Sequence, residues 1–267
     1  MKRQRLNWQE KVRKNVRKIM DFEHVKAVFE EYLNGYDREN DKVKLKIVHT
    51  YGVIRCSEEI GRRMGLQAED MELAKLIALL HDIGRFEQLK RFNSFEADTM
   101  DHATYGVQVL FEEGMIRQFI EEDTWDDVIR TAIAKHSDYE LTGITDERTL
   151  LHARLIRDAD KLDNCRVKLE DAMETLLDLS ADEVGKYAIS PKVREDAFAG
   201  KCICSKDRRT PMDYWVSYVA YFYDLNFRET LDIVAEEQYV KRIIGRVPYT
   251  NEQTKKTMEE LERQLTE

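Results

Sequence analysis

The stretch ALLHDIGRFEQ, residues 78–88, places a histidine and an aspartate side by side where an apolar run ends. Leucine, isoleucine and alanine residues lead into His81 and Asp82 in a pattern typical of a helix that faces a core. Burying a polar group without a partner costs about 2–7 kcal/mol. His81 and Asp82 must therefore satisfy each other locally or be held together by a strongly positive partner.

Helical periodicity also runs through the rest of the chain. In residues 71–83 and 124–136 the apolar positions recur at three- and four-residue steps, and Asp101 and Thr124 are each placed to cap a helix start. The chain has only 3 prolines and 11 glycines in 267 residues, and we find no persuasive alternating run typical of a β-strand. These features predict an all-α fold whose loops include residues 188–211.

Composition and charge narrow the class of protein. The chain is 42% hydrophobic, which is too apolar for disorder, and its net charge of −9 argues against a nucleic-acid polymer as partner. No stretch approaches the roughly 18–20 apolar residues of a membrane span, and the first 20 residues lack the apolar region of a secretory signal. The four cysteines lack zinc-ribbon spacing and indicate reduced thiols. We therefore expect a cytoplasmic protein with no membrane partner, whose charged terminal helices would allow a homodimer.

The histidines are spaced so that no single helix builds a metal site. None of the six is four residues from another, and none has a glutamate three residues before it, which excludes the HExxH and Glu-x-x-His motifs. His49, His102 and His136 each fall on a different predicted helix or helix start. Any site must therefore be assembled from several converging helices.

The stretch ARLIRDADKLDN, residues 153–164, adds three aspartates to an otherwise apolar helix. Buried acids need neutralising, and a divalent metal does this better than scattered donors. Imidazole and carboxylate ligands together suit Fe, Mn, Ni, Co or Zn. Each residue taken singly has a plainer explanation. A lone histidine on an apolar face is more often a core residue, and Arg154, Arg157 and Lys161 are available to pair with the aspartates.

Taken together, the polar residues form one ordered series: His49, His81, Asp82, His102, His136 and Asp160. This series resembles the signature of the HD-domain superfamily of metal-dependent phosphohydrolases. The words LLHDIGR and IRDADKLDN are similar to the two most recognisable stretches of that family, and the resemblance covers roughly residues 45–165. His102 and His136 resemble the additional histidines of the subgroup that binds two metals.

The resemblance implies a helical bundle of the HD-domain type, with one or two divalent metal ions in its core. By position, the first metal is held by His49, His81, Asp82 and Asp160. Asp82 would bridge to a second metal held by His102 and His136.

The resemblance also suggests how the chain is organised. We expect a single helical domain over residues 1–267, whose metal-binding core is residues 45–165. N-terminal helices in residues 1–44 and a C-terminal helical layer in residues 166–267 complete it. Aromatic residues are concentrated in residues 214–223 of that layer, where a helical stripe predicts core packing. The alternative is that these rings stack on a substrate.

A phosphate substrate needs cationic partners. Arg85, one turn past the His-Asp pair, is the first candidate, and we expect it to act with Asp82 in catalysis and to bind substrate. Lys135 and Lys161, each next to a residue of the ordered series, are further candidates for substrate binding, with ordinary ion pairing as the alternative. Gly84 is expected to end a helix and let the backbone turn away.

The leading hypothesis is a phosphohydrolase that cleaves a phosphomonoester or phosphodiester by metal-activated hydroxide. Its substrate is expected to be a small-molecule phosphate ester, with nucleotides as one class. Two alternatives remain open. One is a non-catalytic module of the same family that senses a nucleotide, and the other is a di-iron oxygenase on the same scaffold.

Overall fold

The computed structural model describes residues 20–96 and 98–267. Residues 1–19 of the predicted N-terminal segment, residues 1–44, therefore lie outside the described residues. Within the described ranges the chain forms helices joined by turns and contains no strand, which confirms the predicted all-α fold. No helix in these ranges is both long enough and apolar enough to cross a membrane.

The helices follow one another with short connections. In chain order they are α1 (Phe22–Leu33), α2 (Asp41–Met64), α3 (Ala68–Leu80), α4 (Ile83–Phe92), α5 (His102–Val107), α6 (Ile116–Phe119), α7 (Asp126–Lys135), α8 (Glu147–Glu170), α9 (Met173–Leu177), α10 (Ala181–Val184), α11 (Pro191–Phe198), α12 (Pro211–Ala220), α13 (Arg228–Glu236), α14 (Tyr239–Ile244) and α15 (Glu252–Thr266). A π-helical turn, Gln108–Glu112, continues α5, and 3-10 turns lie at Ser205–Asp207 and Tyr221–Asp224.

Two helices of 24 residues each, α2 and α8, form the centre of the bundle. They pack against each other, α3 packs on both, and α7 packs on α8. Side chains fix where the two long helices begin. The side chain of Asn40 accepts hydrogen bonds from the backbone N–H groups that start α2, and Asp146 does the same for α8. Backbone N–H groups that would otherwise lack a partner are thus satisfied in the first turn of each long helix.

The His-Asp pair forms the joint between two helices. Helix α3 ends at Leu80 and α4 begins at Ile83, so that His81 and Asp82 are the two residues between them. Residues 76–80 are all buried, so the last turn of α3 lies inside the bundle rather than at its surface. The chain consequently places the two polar side chains in the interior.

Gly84 has a different role from the one predicted. It does not end a helix, because it lies in the first turn of α4. A Cβ atom at Gly84 would lie 2.2 Å from the carbonyl oxygen of His102 and 2.7 Å from the backbone nitrogen of Gly106. The missing side chain therefore lets α4 and α5 pack backbone to backbone, which holds His102 close to Asp82.

The structure also differs from the sequence prediction at the start of one helix and within one predicted loop. Helix α7 begins at Asp126 with Trp125 at its N-cap, so Thr124 is not the cap. Helix α11 occupies part of the predicted loop 188–211, because Pro191 at its first position has a backbone angle already suited to a helix. Asp101 does cap α5, as predicted, by accepting a hydrogen bond from the backbone N–H of Thr104.

The aromatic residues of α12 and the turn after it divide into two groups. Trp215 and Phe222 are buried in the hydrophobic core, in agreement with the predicted core packing. Tyr214, Tyr218 and Tyr221 are only half-buried. The C-terminal layer thus supplies both core residues and a row of tyrosines at the edge of the bundle.

Candidate metal centre

The six residues of the ordered series come together although they lie on five separate parts of the fold. They are His49 on α2, His81 and Asp82 between α3 and α4, His102 at the start of α5, His136 at the end of α7 and Asp160 on α8. They form two triads, and in each triad the ligand atoms all lie within 4.8 Å of one another. We refer to the six residues as the candidate metal centre.

The first triad consists of His49, His81 and Asp160. Nε2 of His49 lies 2.9 Å, and Nε2 of His81 lies 3.8 Å, from Oδ1 of Asp160. Both histidines are buried, whereas the side chain of Asp160 is 23% exposed. The triad is therefore open to solvent on the side of Asp160.

The second triad consists of Asp82, His102 and His136, all buried. Nε2 of His102 lies 3.1 Å from Nε2 of His136. Oδ1 of Asp82 lies 3.3 Å from Nε2 of His102 and 3.6 Å from Nε2 of His136. Two imidazole nitrogens and one carboxylate oxygen thus face a common point.

Asp82 connects the two triads. Its Oδ1 atom faces His102 and His136, whereas its Oδ2 atom lies 3.5 Å from Nε2 of His81 in the first triad. A carboxylate can ligate a different metal through each oxygen. The orientation of Asp82 is the one that a bridging ligand needs.

The Nδ1 hydrogen bonds of His81 and His136 direct the Nε2 atoms of both rings toward the other residues of the two triads. Nδ1 of His81 donates to the carbonyl oxygen of Ala78 at 2.7 Å, and Nδ1 of His136 donates to that of Ile133 at 2.7 Å. A neutral imidazole that donates from Nδ1 presents a lone pair at Nε2. Nε2 of His81 is buried and has no hydrogen-bond partner in the described part of the chain. This orphaned nitrogen, facing two carboxylates, fits a metal ligand.

His49 is oriented by a carboxylate that the sequence analysis did not select as part of the site. Its Nδ1 atom lies 2.8 Å from Oδ2 of Asp163 and its Nε2 atom lies 2.9 Å from Oδ1 of Asp160, so Asp163 sets the orientation of the ring behind the first triad. Arg166 holds the Asp163 carboxylate through two hydrogen bonds of 2.9 and 3.0 Å. A Cβ atom at Gly52 would lie 1.9 Å from Oδ1 of Asp163, so only glycine leaves room for this carboxylate.

Lys46 was also missed by the sequence analysis. Its Nζ atom lies 2.5 Å from Oδ2 of Asp82, and its side chain is 12% exposed. The sequence feature that could have identified Lys46 is its position three residues before His49, which places both side chains on one face of α2. Burial by itself raises the pKa of Asp82, but Lys46 and His81 outweigh it and hold that pKa well below its usual range. Asp82 is therefore a carboxylate at neutral pH.

Arg85 lies against the second triad. One of its guanidinium nitrogens donates to Nε2 of His102 at 2.9 Å, another donates to Gln88 at 2.5 Å, and its Nε atom is 3.7 Å from Oδ1 of Asp82. Burial, with a smaller contribution from Arg85, lowers the pKa of His102 well below its usual value. His102 is therefore a neutral imidazole, which is the form that binds metals.

The two candidate lysines are engaged in ion pairs. Nζ of Lys135 lies 3.3 Å from Asp138, and Nζ of Lys161 lies 2.7 Å from Asp224. Arg157 shares Asp224 with Lys161 at 2.6 Å. Substrate binding by the two lysines stays a prediction.

Two of three comparisons with known proteins found a match. The family model of the HD domain matches residues 47–165. The chain is 30% identical over 165 residues to Ribonuclease Y of Acetivibrio thermocellus. That similarity covers 59% of this chain and 27% of the relative's length, so the chain spans about a quarter of that protein. No solved structure matches the chain.

The matched segment contains every residue of the metal centre, from His49 on α2 to Asp160 on α8. It also contains both sequence words on which the resemblance rests. The match to the HD-domain family model therefore covers the whole candidate site, within residues 47–165 of this chain.

Proposed function

We propose that this protein is a metal-dependent phosphohydrolase that cleaves a phosphomonoester or phosphodiester, with small phosphate esters, nucleotides among them, as its substrates. The observation that carries the proposal is Asp82, whose two oxygens face two different ligand triads. Such an arrangement suits two divalent metals about 3.5–4 Å apart, the separation used by binuclear hydrolases. The relative named Ribonuclease Y adds RNA phosphodiesters to the substrates to be tested.

When bound, divalent metals supply Lewis acidity toward a phosphoryl oxygen and activate a water molecule toward phosphorus. His49, His81 and Asp160 would hold one of them, and His102 and His136 the other, with Asp82 shared. Other residues of this chain orient these ligands. Asp163 fixes the orientation of His49, and the Ala78 and Ile133 carbonyl oxygens fix that of His81 and His136.

Arg85 is proposed to bind the phosphate as it enters. A guanidinium offers several N–H donors in one plane, which matches the oxygens of a phosphate. One of its nitrogens already reaches the second triad through His102. Its side chain is 14% exposed, so it stands at the boundary between the buried ligands and solvent. We assign Arg85 the roles of orienting the substrate and stabilising charge on it.

The first experiment combines metal content with turnover. Wild-type protein and the His136→Ala variant are loaded separately with Fe, Mn, Co, Ni and Zn and washed before metal analysis. We expect two equivalents per wild-type chain and about one in the variant, because His136 belongs to the second triad alone. The loaded proteins are then tested on p-nitrophenyl phosphate, bis-p-nitrophenyl phosphate, nucleoside monophosphates and a short RNA.

Hydrolysis of at least one of these esters by the wild type, lost in the variant, supports the proposal. Metal binding with nucleotide affinity but no turnover on any substrate would instead identify a sensing module. Oxygen consumption with a di-iron absorption spectrum would identify an oxygenase. A wild-type protein that binds no metal contradicts all three.

A further inference from the structure

Arg157 is a buried cation that belongs neither to the six residues of the candidate metal centre nor to the residues proposed to bind substrate. The residue is only 2% exposed and lies on α8, one turn before Asp160. A guanidinium stays charged inside a protein, so it needs hydrogen-bond acceptors on each side. The acceptors that surround Arg157 therefore indicate its role.

The guanidinium closes the end of α7. Its Nη1 atom lies 2.6 Å from the carbonyl oxygen of Asp138, 3.0 Å from that of Lys135 and 3.3 Å from that of His136. The last carbonyl groups of a helix have no partner within the helix, and a basic side chain can supply one. Arg157 thus fixes the last turn of α7 on α8, next to His136.

The position of that turn sets the position of the His136 ligand atom. Nδ1 of His136 donates to the carbonyl oxygen of Ile133 at 2.7 Å, so the ring is held by its own helical turn. Its Nε2 atom lies 3.6 Å from Oδ1 of Asp82 on the other side. Because the ring moves with the turn, any shift of the end of α7 changes the distance between Nε2 and Asp82.

The C-terminal layer holds the other side of the guanidinium. Nη2 of Arg157 lies 2.6 Å from Oδ2 of Asp224, in the 3-10 turn that follows α12. The adjacent Asp158 accepts hydrogen bonds from the backbone N–H groups of Asn226 at 2.9 Å and Phe227 at 3.0 Å, so the chain just after Asp224 is tied to α8 as well. Asp224 lies outside the residues matched by the family model.

The first triad has a separate support. His49 is oriented by Asp163, and Arg166, further along α8, holds that carboxylate. Among the described residues, no hydrogen bond or ion pair joins Arg157 to the first triad. A change at Arg157 is therefore expected to affect the second triad and to spare the first.

We infer that Arg157 is a positioning residue for the second triad: it holds His136 within reach of Asp82, and Asp224 of the C-terminal layer holds Arg157. The inference rests on the metal binding in the proposed function. It adds that the second metal depends on side chains that touch neither metal nor substrate. A lysine cannot replace Arg157, because only the planar guanidinium donates in both directions from a fixed fork.

The test uses three variants and two controls. Arg157→Met removes the hydrogen bonds, and Arg157→Lys keeps the charge without the fork. Asp224→Ala removes the support, and its side chain is 24% exposed, so this variant is less prone to unfold. Arg154→Met, at an exposed arginine one turn earlier on α8, controls for lost charge. Met258→Ala, at a buried position on α15, controls for a general loss of stability.

The first readout is the affinity for each of two Mn²⁺ equivalents, measured by competition with a chelator. We expect the second metal to bind about 10–100-fold more weakly in Arg157→Met and Arg157→Lys, and the first metal to bind as in wild type. Asp224→Ala should weaken the second metal in the same direction. Loss of a nearby cation would by itself strengthen metal binding, so weaker binding in Arg157→Met reports position rather than charge.

The second readout needs no metal. Amide hydrogen exchange of metal-free protein should become faster at residues 133–138 in both Arg157 variants, because the end of α7 loses its donor. Exchange in the first turn of α7, residues 126–129, should stay as in wild type. Both controls should show wild-type exchange at residues 133–138.

Three results overturn the inference: wild-type affinity for the second metal in Arg157→Met, unchanged exchange at residues 133–138, or an equal loss of the second metal in Met258→Ala. A wild-type protein that binds only one metal overturns it too, and ester hydrolysis by that protein leaves the phosphohydrolase proposal standing. Selective loss of the second metal in the variants supports the inference, and absence of hydrolysis by the same wild type then removes only the proposed reaction.

Discussion

The ammonium group of Lys46 lies 2.5 Å from Oδ2 of Asp82, the carboxylate whose other oxygen faces His102 and His136. A positive charge therefore stands at the oxygen that faces the first triad. It keeps Asp82 ionised, and it also competes with any cation for that oxygen. This pair offers a direct way to test whether the centre holds metal.

The Lys46→Met variant is expected to bind Mn²⁺ more tightly than wild type, by roughly tenfold at neutral pH. Removing a positive charge within about 4 Å of the ligands removes a repulsion of order 1–4 kcal/mol. Isothermal titration calorimetry of metal-free protein measures the change, and Lys44→Met, at an exposed position on the same helix, is the control. Weaker binding in Lys46→Met would show that Lys46 orients Asp82 rather than opposing the metal.

The Asp163→Asn variant tests the support of His49. An amide cannot accept from His49 and pair with the Arg166 guanidinium as the carboxylate does. Loss of a carboxylate behind a metal-binding histidine typically costs about 10–100-fold in metal affinity or activity. We expect a loss in this range for the first metal, measured by competition with a chelator. Asp182→Asn, an exposed substitution far from the centre in sequence, should bind metal like the wild type.

The Gly84→Ala variant tests the close packing of α4 on α5. The added methyl group would meet the His102 carbonyl oxygen at 2.2 Å, so the two helices must separate. Overpacking of this kind costs about 1–3 kcal/mol, and separation moves His102 away from Asp82. We expect a lower midpoint in urea unfolding and about one metal equivalent fewer than wild type. Lys90→Ala, an exposed substitution on α4, is the control, and equal metal content in both variants would contradict the assigned role of Gly84.

Lys168 should make stability depend on pH in the alkaline range. Its pKa is about 7 in the folded protein and near 10.5 when unfolded, so between these values the unfolded chain holds the extra proton. The free energy of unfolding therefore rises with pH across this window, with a limiting slope of about 1.4 kcal/mol per pH unit. Below pH 7 lysine is charged in both states and the burial penalty is constant.

The Lys168→Met variant lacks that titration. Its free energy of unfolding should exceed that of the wild type below pH 7, and the difference should shrink as the pH rises toward 10. Urea unfolding at pH 6, 7.5 and 9 measures the difference, with Lys241→Met as an exposed control. A difference that stays constant over the three pH values would show that the amine does not titrate in this range.

The sequence by itself determined the helical fold and the six residues that meet in the core. Apolar periodicity of 3.6 residues is a local property, so it predicts helices directly, and a polar pair at the end of an apolar helix predicts a buried site. The order of the histidines and aspartates predicted the other residues of the site, through the resemblance to the HD-domain family. Metal binding by these residues stays a prediction that the experiments above test.

Only the tertiary structure decided how those residues face one another. Asp82 meets Lys46 across 36 residues of sequence, and His49 meets Asp163 across 114. No local pattern encodes contacts between helices so far apart, because each depends on how helices pack and on which side chain is absent. Gly52 and Gly84 illustrate this, since their sequence context gives no sign of the carboxylate and the carbonyl oxygen that occupy the space of their missing side chains.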